Sequence, residues 1–429
     1  MTFRWAALAL IGAACGLAGF AQNAGNGDHW VTTWAASPQQ PRAFGPPRPA
    51  NGTAAAPAPP SFNNQTLRLI VHTTIGGRRA RVRLSNDFGT APLTIGAAHI
   101  ALRSMESAIT PGTDRVLTFN GRTRVTIPAG AEMMSDAVDL DIPALGDLAV
   151  SIYVPGETGP ATTHATGLHT NYISKAGDFT GAASIADATT TQSWYLLAGV
   201  DVAAPPDAAA IVAFGDSITD GAASTPNTDR SWPSQLAQRL AANPATAHIA
   251  VVNEGISGNR VLRDGAGVSA LARFDRDVLG QSGVKWLIVL EGINDIGIGF
   301  RAGSTPADAV TADDLIGGLR QIVDRAHAHG IQVIGGTLTP FEGAAYYTEA
   351  GEQARSAVNQ WIRTSGTFDA VVDFDAVTRD PKNPKTFRAD FNERDHLHPN
   401  DAGYKAMAEA IDLTLFGAKA SSARASQVR

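Results

Sequence analysis

Cysteine is almost absent from this sequence. The 429 residues include a single cysteine, Cys15, which excludes a disulfide framework and any zinc site built from several cysteines. Positive charge is not in excess, because 34 Lys and Arg stand against 40 Asp and Glu for a net charge of −6. That balance argues against a nucleic-acid-binding protein. No apolar run reaches the roughly 18 residues of a transmembrane helix, so no membrane span is expected.

The N-terminus has the pattern of an export signal. Arg4 is followed by an apolar run at 6–14 and by a small-x-small cleavage site that ends at Ala21. We therefore expect residues 1–21 to be removed and the mature protein to be secreted or periplasmic. Cys15 lies inside this segment. A lipoprotein with Cys15 as its acylated first residue is the alternative, but Gly12 stands where a bulky aliphatic side chain is expected.

A proline-rich run follows the first segment of the mature chain. Residues 41–60 hold seven prolines, which predicts an extended linker or a long surface loop. The preceding HWVTTWAASP at 29–38 is rich in β-formers, so the loop could also interrupt a domain. The expected division is a signal at 1–21, an N-terminal segment at 22–61, a β-domain at 62–204, an α/β domain at 205–417 and a disordered tail at 418–429.

Two hydrophobic patterns meet near residue 205. Between 66 and 202, short alternating runs are bounded by turn residues, which predicts an all-β sandwich of jelly-roll type. Beyond it, continuous apolar runs alternate with helical patterns, which is typical of a parallel sheet covered by helices on both faces. The expected strands are 209–214, 248–253, 285–290, 331–336 and 370–374, and the expected helices are 232–242, 270–279, 311–329, 351–364 and 401–415. Ligands bind such sheets at the carboxyl ends of the strands.

The first of these strands runs into GDSIT at 215–219. Ser217 would then lie on the turn between strand and helix, where a hydroxyl faces the crevice and backbone N–H groups point at an anion. The alternative is that this tripeptide only makes a turn and caps the helix. The sequence is not G-x-S-x-G, so it does not match the nucleophile turn of the α/β-hydrolases.

The second and third strands end in candidate oxyanion-binding groups. NEGISGNR at 253–260 contains Gly255, whose N–H group could approach a ligand with no Cβ in the way. GIND at 292–295 places Asn294 directly after a strand, where its carboxamide could donate to an oxyanion. An ordinary glycine-rich loop and a local Asx turn are the alternatives. Arg260 is a candidate for contact with substrate or for a surface ion pair.

The fourth candidate is DHLHP at 395–399, just before the last predicted helix. Asp395 and His398 are three residues apart, so the acid can orient one imidazole nitrogen while the other accepts a proton from a serine. Asp324 and His327 repeat the spacing, but they lie in the middle of a predicted helix. His396 and His398 could also form a metal pair with Asp395. No further ligand cluster is evident, so no metal is expected.

Cofactor motifs are weak. A G-x-G-x-x-A string at 265–270 begins about a dozen residues after its strand ends, which is not the context of a dinucleotide site. The phosphate-binding loop G-x-x-x-x-G-K-[ST] does not occur. We therefore expect no cofactor.

The four blocks, taken in this order, resemble the SGNH hydrolase superfamily, the GDSL-type esterases and lipases. They are FGDSITDG at 214–221, NEGISGNR, GIND and DHLHP, and together they span about 190 residues. The resemblance implies a flavodoxin-like sheet. It also implies Ser217 as nucleophile, Asp395 and His398 as the acid–base pair, and an oxyanion hole of Ser217, Gly255 and Asn294.

The resemblance extends in part to function and substrate. The WAASP segment and the β-domain resemble secreted bacterial carbohydrate esterases, so the expected partner is an ester substrate, an acetylated polysaccharide first of all. A lipase or arylesterase of the same fold is one alternative, and a non-catalytic secreted carbohydrate-binding protein is another. Acyl preference and oligomeric state are not determined by the sequence.

Overall fold

The computed structural model of the chain describes residues 27–41, 58–392 and 394–417. The predicted signal, with Cys15, and the predicted tail lie outside the described residues. The two halves of the described chain have different sheets. Antiparallel strands occupy the first half, and a parallel sheet with helices occupies the second.

Two antiparallel sheets form the β-sandwich. Their alternate side chains share one buried core, to which Leu69, Val82 and Val150 belong. The first sheet contains His29–Ala35, Gly77–Ser85, Glu132–Met134, Val138–Ile142 and Leu197–Ala204. The second contains Gln65–His72, Ala97–Met105, Ala108–Ile109, Arg115–Val116, Asp147–Val154, Asn171–Ala176 and Thr189–Thr191. Two short pairs complete the sandwich, Leu93–Ile95 with Val125–Ile127 and Thr163–His164 with Trp194–Tyr195.

The N-terminal segment contributes a strand to this sandwich. His29–Ala35 runs antiparallel to Leu197–Ala204, with His29 opposite Ala204 and Ala35 opposite Gly199. The proline-rich run therefore interrupts the β-sandwich, which is the second of the two interpretations that the sequence left open. The proposed division at residue 62 separates this strand from its sheet, and the other domain limits stay predictions.

The second half has the predicted parallel sheet. Its strands are Ala209–Gly215, Ile249–Gly255, Val284–Leu290, Gln332–Gly336 and Ala370–Val372. They lie in the spatial order second, first, third, fourth, fifth, which is the flavodoxin-like order. The predicted fold class is confirmed. At the reversal of strand order, the ends of the first three strands bring Ser217, Gly255 and Asn294 to one edge of the sheet.

Five of the helices that the structure describes match predicted helices except at their ends, whereas Ser217–Asp220, Ile293–Phe300 and Phe374–Thr378 were not predicted. The helices are Ser217–Asp220, Trp232–Ala241, Ala270–Phe274, Ile293–Phe300, Ala312–Ala328, Glu349–Thr364, Phe374–Thr378 and Asp401–Glu409. The helix predicted at 270–279 changes to a π-helix over Asp275–Leu279. The last helix ends at Glu409, because Asp412 accepts a hydrogen bond from the N–H of Thr414 and begins a separate 3-10 helix, Leu413–Phe416. None of the helices that the structure describes is long and apolar enough to cross a membrane.

The sandwich packs directly against the parallel sheet. Its core continues into Ala210 and Val252, which lie on strands of the parallel sheet. Thr32 and Ser282 exchange two hydrogen bonds across the junction, at 3.0 and 2.9 Å. The two halves therefore share buried surface close to the strands that carry the candidate site.

Candidate active site

The structure brings Ser217, His398 and Asp395 into one hydrogen-bonded row. The Oγ of Ser217 lies 2.7 Å from Nε2 of His398, and Nδ1 of His398 lies 2.5 Å from Oδ2 of Asp395. In the tautomer that fits both contacts, His398 donates from Nδ1 and accepts the serine proton at Nε2. These three side chains thus have the arrangement of a nucleophile, a base and the acid that orients the base.

The turn that carries the acid and the imidazole is held by its own hydrogen bonds. Oδ1 of Asp395 accepts from the N–H groups of Leu397 and His398 at 3.0 and 2.9 Å. Burial raises the pKa of Asp395, but the hydrogen bonds from His398 outweigh it and hold the pKa well below its usual range. Asp395 therefore remains a carboxylate, and its side chain is 48% exposed.

Asn392 fastens this turn from outside the predicted motif. Its Nδ2 donates to the carbonyl oxygen of His398 at 2.6 Å, and its Oδ1 accepts from the N–H of His396 at 3.0 Å. Sequence reasoning missed Asn392. Its position three residues before Asp395 was the available signal, because Asn side chains commonly bond to nearby backbone in turns.

Ser217 begins a helix of four residues, Ser217–Asp220. Asp216 caps it by accepting from the N–H of Ile218 at 3.0 Å, so the GDS tripeptide makes a turn and a cap as well as presenting the serine. The predicted turn and cap are therefore present, and the same turn places Ser217 beside His398. Among the described residues the N–H of Ser217 has no hydrogen-bond acceptor, which leaves it available for a bound anion.

Asn294 lies at the start of Ile293–Phe300 with its amide directed by two neighbours. Its Nδ2 donates to the carbonyl oxygen of Asn259 at 3.0 Å, and its Oδ1 accepts from the hydroxyl of Tyr346 at 3.3 Å. An Asn amide has two N–H protons, so one remains for a ligand. Asp295, the next residue, accepts from the N–H groups of Val261 and Leu262 and fixes the neighbouring loop.

Gly255 does not present its N–H group to the crevice as predicted. That N–H donates to Oδ1 of Asn253 at 3.0 Å. Gly255 is required for another reason, because a Cβ there would lie 2.2 Å from the backbone nitrogen of Asp220. Gly258, three residues on, has φ +79°, and its N–H has no acceptor among the described residues. Since the carbonyl of its neighbour Asn259 bonds to Asn294, Gly258 is the better-placed backbone donor.

Arg260 has the second of its two predicted roles. Its Nη1 forms an ion pair with Asp308 at 3.2 Å, and its Nη2 donates to the carbonyl oxygen of Asp264. These partners lie within the loops beside the site. The expected contact of Arg260 with substrate is therefore not supported.

A fully buried arginine, Arg273, contacts residues at the ends of the first three parallel strands. Arg273 donates from Nη2 to the carbonyl of Gly215, from Nη1 to the carbonyl of Glu254, and from Nε to Oδ1 of Asn259, all within 2.9 Å. Its Nη2 also lies 3.7 Å from Glu291. Sequence reasoning missed Arg273, because it lies on a helix that no motif marks.

Arg273 forms an ion pair with the buried Asp277, at 2.9 Å, and three further carboxyl groups of this region are buried. Burial raises the pKa of Asp216 from 3.8 to about 7, although the N–H of Ile218 and the charge of His398 lower it. Burial also raises the pKa values of Glu254 and Glu291 well above their usual range, together with the charges of Asp277 and Asp216 respectively. These three acids therefore hold protons at a pH where exposed carboxyl groups have lost them.

Because the pKa values of these acids are raised, we expect the free energy of unfolding to fall as the pH rises from about 4 to about 7. In that range the folded protein binds protons that the unfolded chain has released, and stability then decreases with pH. The rise for Asp216 corresponds to on the order of 4 kcal/mol at 1.36 kcal/mol per pKa unit. Urea unfolding at pH 5 and pH 8 measures the difference. Asp216→Asn, which keeps an acceptor for Ile218, should reduce it, and an unchanged pH dependence would contradict the assignment.

The second D-x-x-H pair lies away from this site. Nε2 of His327 is 2.7 Å from Oδ2 of Asp369, so its partner is not Asp324. We expect His327→Ala to leave kcat for a chromogenic acetyl ester unchanged within about twofold, because surface substitutions of this kind are nearly neutral. Steady-state kinetics below the melting temperature tests this, and a loss of activity comparable to that of His398→Ala would make His327 part of the site.

One group of described side chains could hold a metal ion. It consists of His72, Asp147 and Asp229, and it lies at the junction of the two halves rather than around Asp395, His396 and His398. Nδ1 of His72 lies 2.8 Å from Asp147 and 3.6 Å from Asp229, and Arg103 contacts the other oxygen of Asp147 at 2.7 Å. A proton on His72 and the charge of Arg103 account for this arrangement with no ion.

Comparison with known proteins finds a family model that matches most of the second half of the chain. The model of the GDSL-like lipase/acylhydrolase family matches residues 213–406. No curated protein matches the chain. A solved GDSL-family lipolytic protein from Desulfitobacterium hafniense is 24% identical with a TM-score of 0.36, over 47% of this chain and 96% of its own. An acetylxylan esterase from Geobacillus stearothermophilus is 24% identical with a TM-score of 0.38, over 47% of this chain and 91% of its own.

Proposed function

We propose that Ser217 is the nucleophile of a carboxylic ester hydrolase, since the model of the GDSL-like lipase/acylhydrolase family matches residues 213–406. The observation that carries this proposal is the row of hydrogen bonds from Ser217 through His398 to Asp395. The roles of these three residues follow from their atoms. Ser217 supplies the attacking oxygen, His398 accepts and returns its proton, and Asp395 stabilises the imidazolium that forms in between.

The reaction proceeds through an acyl-enzyme in this proposal. The Oγ of Ser217 bonds to the ester carbonyl carbon as its proton moves to Nε2 of His398, and the carbonyl oxygen becomes an oxyanion. The C–O bond to the alcohol then breaks, and His398 returns the proton to the leaving alcohol. Water attacks the acyl-enzyme by the same path, with His398 again as the base, and releases the carboxylic acid and the free serine.

Three donors are proposed for the oxyanion. They are the N–H groups of Ser217 and Gly258 and the amide Nδ2 of Asn294. The free N–H groups of the first two and the second amide proton of Asn294 support this set. Gly258 replaces Gly255, whose N–H is bonded to Asn253. Donors fixed before the reaction stabilise developing charge without reorganisation.

The proposed substrate carries a small acyl group on a large alcohol, an acetylated polysaccharide first of all. Two features support this choice. The exposed Asp395 and the half-buried His398 leave the leaving-group side open to a polymer. Tyr346 packs its ring against Gly297, whose Cβ would lie 2.2 Å from that ring, and it bonds to Asn294. A large side chain beside the oxyanion donor limits the depth available to an acyl chain. We also propose that residues 1–21 direct export.

Acetate release from acetylated xylan, compared with hydrolysis of p-nitrophenyl esters of two to twelve carbons, tests this function. We expect release of acetate and a fall in kcat/KM as the acyl chain lengthens. A rise with chain length would instead identify a lipase. Absence of both hydrolysis and labelling by a fluorophosphonate probe would indicate a binding protein. Location is tested separately, by the N-terminal residue and compartment of the mature protein.

A further inference from the structure

The β-sandwich reaches into the catalytic half through His164. This residue lies in the short strand Thr163–His164, and its side chain is 4% exposed. Its Nε2 is 3.1 Å from Oδ1 of Asp220, which is the last residue of the helix that Ser217 begins. A residue from outside the family-matched segment therefore contacts the nucleophile's own helix.

The two ring nitrogens of His164 both face acceptors. Nδ1 lies 2.9 Å from the carbonyl oxygen of Ser37, and Nε2 faces the carboxylate of Asp220. A neutral imidazole donates only one hydrogen bond, so the doubly protonated ring is the form of His164 that donates to both acceptors. Burial and the charge of Arg273 lower the pKa of His164, but Asp220 and the carbonyl of Ser37 raise it by more. The raised pKa and the two acceptors both favour the charged form of His164 in this buried pair.

Asp220 also contacts the loop that contains Gly258, the proposed backbone donor to the oxyanion. Its Oδ2 accepts from the N–H and the hydroxyl of Ser257, at 2.8 and 2.6 Å. Ser257 immediately precedes Gly258. Thr166, also from the β-sandwich, donates its hydroxyl to Oγ of Ser257 at 3.0 Å. Asp220 and Ser257 therefore connect the helix that Ser217 begins to the loop that contains Gly258. Each of them is hydrogen-bonded to one residue of the β-sandwich, His164 and Thr166 respectively.

We propose that His164 and Thr166 are positioning residues, and that the β-sandwich completes the catalytic scaffold instead of serving only as a binding module. This inference rests on the proposed function, because it holds that Asp220 and Ser257 fix the distance between the nucleophile Ser217 and the oxyanion donor Gly258. Neither sandwich residue touches the triad. A displacement of about 1 Å in such a site can lower the rate about 10²-fold, so loss of this support should reduce kcat with little change in KM.

The test compares His164→Leu, His164→Gln and Thr166→Val with wild type. Leu removes both hydrogen bonds, whereas the amide of Gln can still donate to Asp220. Val keeps the shape of Thr166 and removes only the donor to Ser257. His99→Leu is the matched control, because His99 pairs with Asp114 within the sandwich, 2.9 Å away. For each variant, kcat and KM for p-nitrophenyl acetate and the melting temperature are measured.

We expect kcat to fall about 10²-fold in His164→Leu, less than tenfold in His164→Gln and about three- to tenfold in Thr166→Val, with KM within twofold. His99→Leu should change the melting temperature only. A purely structural role would lower the melting temperature of the Leu and Gln variants without separating their kcat values below it. Wild-type kcat in Thr166→Val together with wild-type kcat or no folding in His164→Leu would overturn the inference. Wild type that hydrolyses no ester would instead overturn the proposed function.

Discussion

Ser217→Ala should reduce ester hydrolysis by about 10⁴- to 10⁶-fold, to the level that the oxyanion donors alone support. The Oγ of Ser217 is the atom on which the acyl-enzyme forms, and its only described partner is Nε2 of His398. Removing it leaves no other nucleophile at this point. The measurement is kcat for p-nitrophenyl acetate, followed by labelling with a fluorophosphonate probe, which should no longer modify the protein.

Ser224→Ala is the matched control for this prediction. Ser224 is buried seven residues further along the chain, and its N–H bonds to the carbonyl of Gly221. Its loss should leave both the rate and the labelling unchanged. Probe labelling that persists in Ser217→Ala, or a residual rate above one per cent of wild type, would place the nucleophile elsewhere.

The ordered motifs and the family they resemble pointed to the residues of the proposed triad, and the fold explains why they meet. Ser217 follows the first parallel strand and Asn294 the third, and parallel strands present their carboxyl ends at one edge of a sheet. Asp395 and His398 needed only local geometry, since three residues of one turn place them in contact. The resemblance of the ordered motifs therefore sufficed to name these four residues without knowledge of any distance, and their catalytic roles stay a proposal.

The parts that the sequence did not predict depend on contacts between distant segments. Gly255 lies in a glycine-containing turn of the kind expected to bind an anion, yet its N–H donates to Oδ1 of Asn253. His164 and Asp220 are 56 residues apart, and Arg273 reaches three separate strand ends from one helix. No local pattern marks such side chains, because their partners are fixed by the packing of the sandwich on the sheet. The strand at 29–35 shows the same limit, since the proline-rich run conceals its return to the sandwich.

Acidification should change the activity and the stability of this protein in opposite directions. His398 must be neutral to accept the proton of Ser217, so hydrolysis should fall on acidification. Asp216, Glu254 and Glu291 have raised pKa values, so the folded protein gains stability as the pH falls. These buried acids therefore lower stability at neutral pH, and the charge of Arg273, which lowers the pKa values of Glu254 and Glu291, offsets part of that cost.

Asn294→Ala should lower kcat about 10²- to 10³-fold while KM changes little, because the amide contacts the oxygen most strongly once it carries charge. Tyr346→Phe removes only the hydroxyl that bonds to Oδ1 of Asn294, so we expect a smaller loss of about tenfold. Asn359→Ala is the control. Asn359 is equally buried and bonds to the backbone of Leu338, so its removal should lower the melting temperature and leave kcat unchanged.

The ratio of the three effects separates charge stabilisation from packing. If Asn294 served only to hold the carbonyl of Asn259, its loss would resemble that of Asn359, with a lower melting temperature and a wild-type kcat. If it binds the oxyanion, kcat falls in the order wild type, Tyr346→Phe, Asn294→Ala at constant KM. An increase in KM alone would mean that the amide binds the ground-state ester, and that the N–H groups of Ser217 and Gly258 stabilise the oxyanion by themselves.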